Sequence, residues 1–333
     1  MEYRIEPHGL TQVRIDPANG GPRDRVRFVE YTDPISVWCW GVEPAVRRLE
    51  ILYPHGVEVD VKMGGLFEDF GPMREHWTRM SGGRWKDSMI AFMNGVAAQH
   101  RMPMDPARMF ESIDDFDSTW PACVAVKAAE AQGREPGRRY LRRLREAVLV
   151  EGRAIHREGV QREIASEAGL DAALFAKALE DGSARTAFQR DLGECRSLGI
   201  TGFPTVEVRR GDEAVRMEGW HPWEEYEEAV RKLDPALAPR RLEPGAPALS
   251  ELFRRYPRCA TREVAAVFSL TDDDAEILLE DLEARGQVVR RDAGSDVLWR
   301  APMEAGRDAG PRADSVATHG ERLTPQSGQS GPS

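Results

Sequence analysis

Two loops set far apart in this 333-residue chain restrict its fold more tightly than anything else in it. Asp33-Pro34-Ile35-Ser36-Val37-Trp38-Cys39-Trp40 follows a β-branched and aromatic run, Val26 to Tyr31, and Ile200-Thr201-Gly202-Phe203-Pro204-Thr205 leads into another, Val206 to Val208. A strand feeding a turn, then a helix with a thiol in its first turn, is the geometry of thiol–disulfide chemistry. Backbone N–H groups and the helix dipole there stabilise a thiolate. The downstream Gly-Phe-Pro completes such a site by presenting free backbone groups across from it, and a cis Phe203–Pro204 bond close to the helix start is expected. The outermost position of the turn nevertheless carries Ser36, not cysteine.

The length suffices for two domains and a tail, and 41% hydrophobic residues suffice for real cores. A formal net charge of −10 argues against general nucleic-acid or anionic-membrane binding. No apolar run approaches the roughly 18 residues that span a bilayer. Met1 to Asp24 is polar and lacks the apolar core of a signal peptide, so a cytoplasmic location is expected, where disulfides are rarely structural. Cys39, Cys123, Cys195 and Cys259 are widely spread with no Cys-x-x-Cys pair, and the seven histidines form no ligand spacing, so no metal site is expected.

Along the chain, residues 1–24 read as an N-terminal arm. Val26 to Tyr31 and Val57 to Met63 read as strands on either side of a helix from Val37 to Leu52. From about residue 70 to 196 the pattern is helical. Ser118-Thr119-Trp120-Pro121 caps a helix carrying Cys123, and Pro136 to Arg153 and Asp171 to Arg185 continue the run. Thr205 to Arg209, a Gly211-Asp212 turn, Ala214 to Glu218 and a helix from Pro222 to Leu233 close a split α/β domain spanning 25–233. A Pro/Arg-rich linker, 234–247, precedes a unit at 248–303. That unit reads as three short helices (Leu249–Tyr256, Thr261–Phe268, Thr271–Arg285) and a hairpin (Gln287–Arg291, Val297–Arg300), the content of a winged helix. Residues 304–333 read as a disordered tail.

Three segments, DPISVWCW, STWPACVAVKAAEAQG (Ser118 to Gly133) and LGITGFPTVEV (Leu198 to Val208), occur in the order found in the cytosolic DsbA-like thioredoxin family. The chain resembles that family over Arg25 to Leu233. The resemblance implies a thioredoxin-like α/β fold with an all-helical insertion at about 70–196, and a winged-helix-like C-terminal extension occurs in some members. It implies thiol–disulfide oxidoreductase chemistry on protein thiols, with Ser36 at the nucleophilic position, Cys39 at the resolving position and Pro204 as the cis-proline. Trp38, Thr201, Phe203 and Pro204 are the candidates for substrate contact.

Serine cannot take part in sulfur exchange, so dithiol activity is expected to be weak or lost. Cys39 then reads either as a buried core thiol or as a working monothiol. Ser36 also resembles the serine of the kappa-class glutathione transferase and hydroxychromene-carboxylate isomerase branch, which implies glutathione as a cofactor in a transferase or isomerase. One charge-assisted hydrogen bond to a thiolate contributes roughly 1.5–3 kcal/mol, against about 1 kcal/mol for a helix cap alone. A third reading is a non-catalytic adaptor for a protein partner, as some cytosolic relatives serve a protease.

Other features point less far. Cys123 and Cys195 read as core residues, and Cys259 as exposed in a turn. The cluster Arg138, Arg139, Arg142, Arg143 and Arg145 reads as a solvated face, and His221 as a surface residue. The methionines between Met89 and Met109 read as core of the insertion. Thr271 to Gly286 holds seven acids against Arg285 alone, which excludes a DNA-reading helix and favours a protein contact.

Overall fold

The computed structural model describes residues 11–14, 25–294 and 296–302. Its first unit starts with β1 (Thr11–Arg14), β2 (Val26–Thr32), a four-residue helix α1 (Val37–Trp40), α2 (Glu43–Leu52) and β3 (Val57–Met63). Eight helices follow: α3 (Gly71–Met80), α4 (Trp85–His100), α5 (Pro106–Glu111), α6 (Trp120–Glu130), α7 (Arg134–Leu149), α8 (Glu158–Glu167), α9 (Ala172–Glu180) and α10 (Ser183–Ser197). The chain then returns as β4 (Thr205–Arg210), β5 (Glu213–Glu218) and α11 (Trp223–Leu233).

The five strands form one mixed sheet in the order β1-β5-β4-β2-β3. β2 and β3 run parallel, while β4 lies antiparallel to β2 in a register that sets Tyr31 opposite Thr205. The two strand runs singled out in the sequence are therefore neighbours in one sheet. Alternation of side chains divides its faces. Val26, Phe28, Val206 and Val208 join a core with Leu49 of α2 and Tyr226 and Val230 of α11. Val29 and Tyr31 meet Cys195 of α10 on the other side. This is a thioredoxin-like sheet between helices, with a helical insertion whose own core includes Met93, Met102, Met104 and Met109.

Three boundaries differ from the sequence reading. Thr11–Arg14 of the expected arm pairs with β5 as an edge strand. The helix expected over Val37–Leu52 is two helices, because Pro44 at the start of α2 has no N–H to bond back to the preceding turn. The stretch expected as one helix from Asp171 to Arg185 breaks between α9 and α10 at Gly182, whose φ of +76° is left-handed. The remaining N-terminal residues and the tail from Met303 lie outside the described residues.

The C-terminal elements are α12 (Ala246–Arg255), β6 (Arg258–Ala260), α13 (Thr261–Phe268), α14 (Asp272–Ala284), β7 (Val289–Ala293) and β8 (Asp296–Arg300). The strands form a small antiparallel sheet, β6-β8-β7. Trp299 is fully buried, and its indole N–H donates to Thr261 Oγ1 at 3.0 Å. Val264, Ala265 and Phe268 of α13 share the core of α2, so all ten residues of α2 are buried. Cys259 lies on β6 opposite Trp299 and is fully buried, correcting its reading as exposed: the expected turn is a strand.

The basic cluster is also not a solvated face. Arg142, Arg143 and Arg145 are buried. Arg142 forms a two-pronged pair with Glu263 of α13, at 2.6 and 2.8 Å, and pairs with Glu146 at 2.8 Å. Arg145 bonds Glu43 of α2 at 2.6 Å and Glu30 of β2 at 2.8 Å. Arg47 joins Glu43 at 2.9 Å and Glu263 at 3.2 Å. This cluster ties the sheet, α2, the insertion and α13 together. Charges so desolvated persist because each has partners in good geometry.

Candidate functional site

The site is built where β2 ends. Thr32 leads into Asp33-Pro34-Ile35, and Asp33 closes the turn: its carboxylate accepts the Ile35 N–H at 2.9 Å and the Leu66 N–H at 2.8 Å. The Cys123 thiol of α6 donates to the same carboxylate at 3.4 Å. Burial pushes the Asp33 carboxyl above its ordinary range, opposed by those hydrogen bonds and one with Thr119. Asp33 thus joins the turn to the β3–α3 loop and to α6.

Ser36 sits at the start of α1, 5% exposed, and its hydroxyl accepts the Cys39 N–H at 3.3 Å as a helix cap. Cys39 is completely buried. Burial pushes its thiol up to about 12; Glu30 adds to the rise, while Arg145 and hydrogen bonds with Ser36 and Thr32 oppose it. Arg145 is committed to Glu30, Glu43 and the Thr32 hydroxyl, so its charge is already balanced before it can serve a thiolate. A four-residue α1 also brings little helix dipole to the site. All four cysteines are free and buried. Cys195 is likewise pushed to about 12, mainly by burial.

Phe203–Pro204 is a cis bond immediately before β4, whose first residue pairs with Tyr31 near the end of β2. It therefore lies at the same end of the sheet as α1. Thr201 is exposed, Phe203 and Trp38 are partly exposed, and Pro204 is buried. The Phe203 ring covers Gly64, and the Trp120 indole covers Gly65 (φ +63°), where an added Cβ would lie 2.7 Å from Nε1. On the other side Trp38 meets His100 edge-to-face at 6.5 Å, and His100 meets Trp220 at 6.4 Å. His221, expected at the surface, is buried and pairs with Glu225 at 2.8 Å. It belongs to the start of α11, where Tyr226 also covers it.

Two consequences are measurable. Gly64→Ala forces a methyl group into the Phe203 ring and should cost about 1–3 kcal/mol in denaturant unfolding. Phe203→Leu in the same chain should return part of that loss, and an unchanged midpoint for Gly64→Ala alone would contradict the packing. The second concerns pH. Burial lowers the His100 imidazole from 6.5 to about 4, and Glu43, held by Arg47, Arg142 and Arg145 against burial, lies near 2. Both folded values sit below the unfolded ones, so each contribution is complete above its unfolded value and is lost as pH falls. Stability should decline from pH 6.5 downwards, with His100 alone accounting for roughly 3 kcal/mol by pH 4. His100→Gln should flatten the 6.5-to-4 portion of a stability–pH curve; a curve of unchanged shape would contradict it.

Arg145, read in the sequence as part of a solvated face, shapes the site, as do Glu30, Asp33, Gly64 and His100, to which the sequence reading gave no role. Glu30 carried a signal: a carboxylate between Val29 and Tyr31 in a strand run calls for a cation on its own face.

A β-turn-helix bearing Ser36 and Cys39, facing a cis-proline loop across one sheet, defines a thioredoxin-type site. A family model described as thioredoxin matches residues 29–228, and the chain belongs to that family, in its DsbA-like form with a helical insertion. Similar proteins include the ClpXP adapter protein SpxH of Bacillus subtilis, 25% identical over 85% of this chain and 91% of that protein. The SpxH of Shouchella clausii is 29% identical over 78% of this chain and 82% of its own length. The crystal structure of a "probable DsbA oxidoreductase" from Streptomyces coelicolor shares the fold, with a TM-score of 0.50 at 20% identity, covering 66% of this chain and 94% of that one. Among the described residues no helix is long and apolar enough to cross a membrane.

Proposed function

We propose that this protein is a cytoplasmic adaptor that keeps the DsbA-like fold to bind a protein and no longer turns over disulfides. The observation that carries this reading is the state of Cys39: fully buried, its thiol held near 12, with Ser36 where an exchange enzyme needs its attacking sulfur. A thiol so raised by burial stays protonated at neutral pH. The match to the Bacillus subtilis SpxH, over 85% of this chain, is too long to be confined to residues 29–228, which favours an adaptor that presents a client to a ClpXP-type protease. Glutathione held by Ser36 is the second reading, and the hydroxyl's position at the start of α1 favours it to that extent.

The test is a binding experiment with the thiol removed. Cys39→Ala should still form a stoichiometric complex with its client, resistant to reductant, and glutathione should not saturate either variant. A client captured only as a mixed disulfide through Cys39 would overturn the reading. Saturable glutathione binding lost in Ser36→Ala would replace it with the second.

A further inference from the structure

One face of α10 is buried through Ala184, Phe188, Leu192 and Cys195, together with Asp191, whose carboxylate pairs with Lys127 at 2.9 Å and accepts the Met63 N–H at 3.0 Å. Glu194 is engaged at the sheet as well, with Lys62 at 2.9 Å and the Tyr31 hydroxyl at 2.7 Å. Both acids of the helix are therefore used inside. Asp181, just before the helix, accepts the Ser183 N–H at 2.9 Å. The outer face carries Arg185, Thr186, Gln189, Arg190, Gly193 and Arg196, all exposed. Among the described residues no carboxylate pairs with Arg185, Arg190 or Arg196.

Two features of this face work against the helix itself. Arg185 stands in the first turn, where a cation opposes the helix dipole, and no acid of that turn offsets it. Gly193 lies in the helix interior, where glycine is less stable than alanine, and an added Cβ there would meet nothing within 4 Å beyond the helix's own backbone. Packing explains neither residue. A glycine on an exposed helix face lets another chain lie close against the backbone. Arg185 and Arg196, at i and i+11, share one side of the helix over about 16 Å, with Gly193 between them. The helix then runs into Gly199, Thr201 and Gly202, the exposed part of the cis-proline loop. We infer that the outer face of α10 is the docking surface for an extended acidic segment of the client protein, whose carboxylates meet Arg185, Arg190 and Arg196 and whose backbone crosses at Gly193. Charge selects this occupant: three unanswered cations on one helix of a chain of net charge −10 favour an anionic partner, and the overall charge disfavours polyphosphate. The inference rests on the adaptor reading for the identity of the occupant as a client.

The probe is a labelled peptide of alternating Glu and Thr, which favours an extended chain, with a Lys-for-Glu version as control. Fluorescence anisotropy against the full chain at low salt should show saturable binding of the acidic peptide and none of the basic one. Arg185→Glu with Arg196→Glu should weaken binding at least tenfold and admit the basic peptide. Gly193→Gln should weaken binding while raising the thermal midpoint, a pair of opposite effects that a purely structural role would not produce. Arg231→Glu with Lys232→Glu, exposed cations on α11, should leave binding intact. Equal binding of both peptides, or binding left unchanged by Arg185→Glu/Arg196→Glu or by Gly193→Gln, would overturn the inference. An oligothymidylate that binds more tightly than the acidic peptide and is lost in Arg185→Glu/Arg196→Glu would also overturn it, making the face a nucleic-acid site. Peptide binding together with disulfide turnover by wild type would instead refute the adaptor reading and leave the surface standing.

Discussion

Replacing Glu263 by alanine should lower the unfolding free energy by about 3–5 kcal/mol. Its carboxylate is completely buried, pairs with Arg142 through both oxygens and with Arg47, and accepts the Ala260 N–H at 2.7 Å at the start of α13. Alanine leaves two guanidinium groups in the interior with only Glu43 and Glu146 to answer them. Glu263→Gln keeps an acceptor for the Ala260 N–H and should recover part of the loss. Because α13 packs on α2 through this cluster, the alanine variant should also expose the 234–247 stretch to protease before the sheet unfolds. A loss below about 1 kcal/mol by denaturant titration, with no new cleavage, would show that the pairs are not formed as described.

The sheet and the site loops were legible because they depend on local chemistry. Val26 to Tyr31 and Val206 to Val208 are β-branched and bounded by Pro and Gly, and the two-residue Gly211-Asp212 turn joins β4 to β5 as its composition suggests. The misreadings come from contacts made across the fold. Arg142 and Arg145 look like surface cations until Glu263, 121 residues away, and Glu30, 115 residues away, arrive beside them. Cys259 and His221 look exposed until β8 and α11 cover them. Thr11–Arg14 has no strand signal strong enough to stand alone and owes its form to the free edge of β5. The break after Trp40 was written in Pro44, but the apolar run across Val37 to Leu52 masked it.

Ser36→Cys should install the chemistry that wild type lacks. The new thiol would stand one helical turn before Cys39, a placement that brings Cβ atoms within the roughly 3.5–4.5 Å a disulfide needs. The side chain at position 36 accepts the Cys39 N–H, so a thiolate there gains a hydrogen bond and should titrate below the free-thiol value of about 8.5, while burial keeps the Cys39 thiol high. The outer sulfur then attacks a substrate disulfide, and Cys39, deprotonated as it closes the ring, releases the reduced substrate. Mild oxidant should therefore convert the variant to a form with two fewer titratable thiols. Iodoacetamide at neutral pH should label the reduced variant at its new thiol in the native state, and wild type only after denaturation. A variant that keeps all its thiols under oxidant would mean that the turn between Thr32 and Val37 cannot close on Cys39.

Insulin reduction, followed by precipitation of its B chain with glutathione as electron source, tests the central claim most directly. Wild type should stay at the uncatalysed rate, and Ser36→Cys should exceed it on the order of 100-fold, reflecting the gain of an ionisable attacking thiol. Wild-type turnover comparable to that of Ser36→Cys, abolished in Cys39→Ala, would contradict the account and make the protein an oxidoreductase.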